Sequence, residues 1–134
     1  MAKEAVAKAE GYILRIAKKE WVEKVFDSAM YYTGARREWQ PGQTILFVSK
    51  TELGDSFVGY GVIENIYEKE ELSEEEQREC ETYGWRKAIE FKYVSKFEKP
   101  LPLKETFLKL RGKTLHTLPL TSVQINAIIS QAEK

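Results

Sequence analysis

Apolar and polar positions alternate through TILFVSK (44–50), where Ile45, Phe47 and Ser49 interleave with Leu46 and Val48. That period of two predicts a strand. A polar loop, TELGDS (51–56), then leads into a second strand pattern, FVGYGVIENIYE (57–68), so the pair reads as a hairpin. GYILRIA (11–17) reads as an earlier strand. In RKAIEFKYVSKF (86–97), Ile89, Phe91 and Tyr93 share one face while Glu90 and Lys92 take the other, the pattern of a half-exposed strand.

The spacing elsewhere is helical. KKEWVEKVFDSAMYY (18–32) places Trp21, Val25, Phe26 and Ala29 on one face. TGARREWQPGQ (33–43) breaks that helix, with a turn at Pro41-Gly42. Ser73 and Glu76 match a capping box that opens an acidic helix, which Gly84 is placed to end. Thr121 and Gln124 match a second box, and Ile125, Ile128, Ile129 and Ala132 form one stripe behind it. Residues 1–10 have high helix propensity and read as an N-terminal helical extension. Residues 98–121 hold three of the four prolines and read as connections and short elements. The resulting order is helix, strand, helix, two strands, helix, strand, short elements, helix, with no internal repeat. It predicts an α+β domain, a small curved and mainly antiparallel sheet or partly closed barrel with helices packed round it.

Gly59 and Gly61 sit inside a strand pattern. A phosphate loop needs its glycines at a strand-to-helix turn, where helix N–H groups face the anion. More strand follows here, and no G-x-x-x-x-G-K-[ST] or G-x-G-x-x-G is present. The expected role is a bend or bulge.

A length of 134 residues suits one domain spanning 1–134, and a hydrophobic share of 43% is enough for a core. No apolar run reaches the roughly 18–20 residues of a membrane span. The N-terminus lacks an apolar signal region, so an intracellular, cytoplasmic protein is expected. Abundant Glu and Lys with two Asn hint at a thermophile. Cys80 is the single cysteine and His116 the single histidine, too few for a disulfide or an ordinary zinc site. Acidic neighbours oppose a Cys80 thiolate. No catalytic motif, metal site or cofactor is expected.

The chain is neutral overall, but residues 68–81 set eight Glu against Lys69 and Arg78, a net −6 that leaves +6 for the rest. An acidic helix thus masks a mildly basic body, compatible with a polyanion or with an ordinary solvated surface. Trp39 follows Arg36 and Arg37, and Trp85 precedes Arg86 and Lys87. Loop tryptophans beside arginines suit base stacking and phosphate contact, or they cap the ends of the core. Arg111, Lys113 and His116 precede the last helix, near its positive end, where an anion or base edge would dock.

Several of these segments resemble EVE domains of the PUA-like superfamily. PGQTILFVSKT followed by FVGYGVIENIY is similar to a GD-x-hydrophobic-FY-x-S strand leading to a hydrophobic-G-x-hydrophobic-x-V strand. Gly42, Phe47, Val48, Ser49 and Gly59 match, and Gln43 replaces the family's Asp. TLHTLPLT resembles R-L-S-V-Q-P-V-T through Leu115, Pro119, Leu120 and Thr121, with Thr114 for arginine and His116 for serine. TGARREW is similar to a G-V-R-N loop through Gly34 and Arg36, with Arg37 for asparagine. The resemblance spans residues 11–132. It implies a PUA-like curved antiparallel or mixed β-barrel surrounded by helices, with a cleft lined by Ser49 and the Arg36 loop. PUA, YTH, EVE and ASCH relatives bind RNA or DNA, several of them through a modified base.

The leading expectation is therefore a non-catalytic nucleic-acid-binding module. Arg36, Arg37, Lys50, Arg86, Arg111 and Lys113 would contact phosphates, while Trp39, Trp85 and His116 would stack or read base edges. One alternative is an ASCH-like nuclease or hydrolase using Lys50, Tyr60 or Lys113. Another is a protein-interaction module docking through the acidic helix, 73–83.

Overall fold

A computed structural model describes residues 10–35, 38–108 and 116–133. Six strands form one mixed sheet: β1 (Gly11–Arg15), β2 (Met30–Thr33), β3 (Thr44–Thr51), β4 (Gly54–Glu68), β5 (Lys87–Pro102) and β6 (Pro119–Leu120). Their order across the sheet is β2-β5-β4-β3-β1-β6. β1 runs parallel to β3, and the other pairs are antiparallel. Three helices complete the fold: α1 (Lys19–Ser28), α2 (Glu74–Tyr83) and α3 (Ser122–Ala132).

The apolar run Ile45–Val48 is fully buried because the sheet is covered on both faces. Tyr12, Leu14, Ile45, Phe47 and Phe91 pack with Val22 and Val25 of α1. Ile13, Leu46, Val48, Phe57 and Phe97 pack with Ile125 and Ile128 of α3. The expected capping boxes form at Ser73 and Thr121, and Gly84 ends α2 in the left-handed conformation.

The barrel is not closed. β2 and β6 are the outer strands, and no ladder joins them among the described residues. β2 pairs with β5 only over Lys87–Glu90, and β6 contributes two residues, so neither wraps round to the other.

Three further expectations change. The helix expected over 18–32 ends at Ser28, because Ala29 turns left-handed (φ 58°) and Met30–Thr33 enters the sheet beside β5. Tyr31 and Tyr32 are aromatic strand formers, and no glycine marks the break. Tyr93 does not share a face with Phe91. A bulge leaves Lys92 unpaired between the Ile63–Phe91 and Val62–Tyr93 pairs, which turns Tyr93 toward Tyr60. β5 also runs on to Pro102 through residues expected to be a connection.

Gly59 sits at another bulge, where the register shifts between Phe57 and Gly59. A β-carbon there would lie 2.4 Å from the Ser95 carbonyl oxygen and 2.5 Å from Cζ of Phe26. Gly59 thus lets β5 and α1 close on β4.

Candidate functional site

The chain reverses sharply between α2 and β5, and this reversal fixes Trp85. The Trp85 N–H donates to the Cys80 carbonyl at 2.9 Å, and the Arg86 N–H donates to the Thr33 carbonyl at 2.9 Å. Gly34 lies so close that a β-carbon on it would stand 2.4 Å from the Gly84 carbonyl oxygen. The loop after β2 and the end of α2 are thereby held together.

Four aromatic rings gather at this junction. Trp85 stacks on Tyr83 (centroids 4.6 Å apart) and on Tyr32 (5.4 Å), both at 24°. Trp21 meets Tyr83 and Trp85 edge-on, with the Lys18 ammonium 4.9 Å above its ring. The Tyr32 hydroxyl donates to Oε2 of Glu76 at 2.5 Å, tying α2 to the stack. Burial and then that hydrogen bond hold the Tyr32 phenol well above its ordinary range. The same bond, with help from Ser73, holds the Glu76 carboxyl below its own.

Beside the stack opens a cleft of about 970 Å³. Its walls come from Tyr12, from the loop residues Ala35 and Glu38, from Glu68–Glu70, from the end of α2, and from Trp85–Lys87. Glu38, Glu68, Glu70 and Glu81 line it together with Lys69, Arg86 and Lys87. Lys69 pairs with Glu81 at 3.2 Å and Lys87 with Glu68 at 3.6 Å. Arg86 has no ion pair among the described residues. Burial raises the pKa of the Cys80 thiol, with Lys69 opposing, so this cleft residue stays a protonated thiol.

Among the expected site residues, Trp85 and Arg86 line the cleft. Trp39 is buried, its ring 5.0 Å from Tyr12 and its Nε1 without a hydrogen-bond partner among the described residues. Ser49 and Lys50 lie elsewhere. Ser49 pairs with Ser56, twelve positions from Glu68 on β4, or about 40 Å along the strand. His116 shares that far end of the sheet. Its Nδ1 accepts from the Arg15 N–H at 3.2 Å, and the Arg15 side chain makes a two-pronged bond to Asp55 at 2.9 and 3.2 Å. Lys50 and Tyr60 stand about 13 Å apart along the β3–β4 ladder and form no joint site. Arg36, Arg37, Arg111 and Lys113, and the expected N-terminal extension up to residue 9, lie outside the described residues.

Tyr32, Tyr83 and Trp21 were not expected at the site. Only Tyr83 had a local signal, the run TYGW with aromatics on either side of a helix-ending glycine, while Tyr32 and Trp21 join the stack from β2 and α1. Among the described residues no group of three or more His, Cys, Asp or Glu could hold a metal ion. No described helix is long and apolar enough to cross a membrane.

No protein-family model matches the sequence, and neither does any curated protein. Solved structures do match. The ASCH protein of Zymomonas mobilis is similar over 90% of this chain and 94% of its own, with a TM-score of 0.67 at 13% identity. The YTH domain of the Zygosaccharomyces rouxii MRB1 protein, solved with N6-methyladenosine RNA, is similar over 92% of this chain and 86% of its own, with a TM-score of 0.60 at 15% identity. The fold is PUA-like. ASCH and YTH domains both belong to that superfamily, and at these identities the likeness is one of architecture. In this PUA-like fold the cleft lies where the last residues of β4, the first of β5 and the end of α2 converge.

Proposed function

We propose that the chain is a non-catalytic nucleic-acid-binding module that takes a base of RNA or single-stranded DNA beside Trp85. One observation carries this reading: an open cleft of about 970 Å³ adjoins a stack of rings in which Tyr83 is half exposed. Every nucleobase presents a π-face, and stacking on an aromatic side chain is worth roughly 1–3 kcal/mol per base. Arg86 is available for a phosphate. Arg36 and Arg37 fall in the chain between two cleft residues, Ala35 and Glu38. The RNA-bound YTH neighbour supports RNA as the ligand class and a modified base as the finer reading.

Fluorescence anisotropy with short single-stranded RNA and DNA, plain and base-modified, at two salt concentrations tests the proposal. Binding that weakens with salt and prefers one base supports it. Absence of binding across the panel at low salt removes it.

A further inference from the structure

The cleft cannot by itself satisfy a polyanion. Its four carboxylates outnumber its three cations, and two of those cations are already ion-paired. The missing positive charge lies further along β5, the strand that begins at the cleft. Beyond its short ladder with β2, β5 has no strand partner on the side away from β4 among the described residues. That open edge carries Lys92, Lys96 and Lys99, all exposed and none ion-paired among the described residues. Glu98 and Glu133 are the carboxylates nearby, around a hollow of about 310 Å³ bordered by Lys96 and Lys99. The bulge at Lys92 turns Tyr93 outward, 50% exposed, between the first two lysines.

We infer that the open edge of β5 is a second contact surface, along which Lys92, Lys96 and Lys99 hold the phosphates of a single strand leaving the cleft. The inference rests on the proposed function and adds where the backbone runs. Lys92, Lys96 and Lys99 are four and three positions apart, about 13 and 10 Å along the strand, so each would meet a separate phosphate of an extended single strand rather than successive ones. Cation contacts of this kind release counterions and leave a salt signature. Lysines on an open edge also discourage strand addition. That role alone predicts no effect on the salt dependence of nucleic-acid binding.

The test compares the unaltered chain with the combined Lys92→Gln, Lys96→Gln, Lys99→Gln variant, using a ten-nucleotide single strand and a mononucleoside across a salt series. The slope of log K against log salt should fall by about 2, at roughly 0.7 per lost contact, with mononucleoside binding unchanged. The matching Lys→Arg variant should keep the slope. Where loss of the edge charges makes the combined variant associate, the three single Lys→Gln variants serve instead, each lowering the slope by about 0.7. An unchanged slope overturns the β5 surface and leaves the cleft reading standing. No oligonucleotide binding by the unaltered chain overturns both.

Discussion

The ring of Tyr83 lies 4.6 Å from that of Trp85 and nearly parallel to it, yet the two have different surroundings. Trp85 also meets Tyr32 and Trp21, while Tyr83 is 50% exposed. Tyr83→Ala should therefore weaken base binding by roughly 1–3 kcal/mol with little loss of stability. Trp85→Ala should lower both, because it opens a gap among three rings. Paired anisotropy titrations and thermal melts separate the two effects. A Tyr83→Ala variant with full affinity would show that the stack is structural only.

Gly59→Ala should destabilise the fold by about 1–3 kcal/mol, since the new methyl meets a backbone carbonyl and the Phe26 ring. Phe26 packs edge-on against Phe47 in the core. Urea unfolding measures the loss. A midpoint equal to that of the unaltered chain would mean that β5 can shift away freely.

Tyr32→Phe removes the hydroxyl that holds the Glu76 carboxyl low. The cost should be about 1 kcal/mol near neutrality. A depressed carboxyl pKa gives stability that is present above its ordinary value, near 4.5, and is lost as pH falls through the folded value. The variant should accordingly lose less stability than the parent on acidification. Identical acid limbs in urea titrations of the two proteins would contradict the coupling.

His116 adds a second acid-sensitive contribution, here because the fold favours the neutral form. Burial first, and then the Arg15 charge, lower its pKa from the ordinary 6.5. Its Nδ1 already accepts a backbone N–H, so protonation there breaks that bond. The unfolded chain binds this proton more readily, so stability is full above about pH 6.5 and declines as pH falls toward the folded value. Asp55 faces the same cluster through its two-pronged bond with Arg15. Melting temperatures from about pH 7.5 to 5.5 should fall for the parent and stay flatter for His116→Gln. Equal slopes would remove His116 as the cause.

Local signals in the sequence carried much of this fold. The capping boxes at Ser73 and Thr121 and the alternation through β3 each depend on residues a few positions apart, and each appears where expected. The end of α1 was hidden because Ala29, with no steric licence for it, adopts the left-handed conformation. The Lys92 bulge was hidden because a register shift leaves no mark on the residue types it displaces. At the site, Trp85 beside Arg86 was legible as an aromatic next to a charge. Its partners Tyr32 and Trp21 come from β2 and α1, more than fifty residues away, and only the folded sheet brings them together. Trp39 had the same local signal as Trp85, but packing against Tyr12 places it inside. Ser49 was drawn to the site by resemblance and His116 by its place before the last helix, and the strand direction carries both to the other end.

The most direct test of the central claim is to follow the three indole N–H signals of Trp21, Trp39 and Trp85 by NMR while a short single-stranded RNA is added. The cleft reading predicts the largest shift at Trp85, a smaller one at its edge-on neighbour Trp21, and saturation at the affinity found by anisotropy. RNA that binds while all three indole signals stay in place would put the interface elsewhere on the protein and contradict the account.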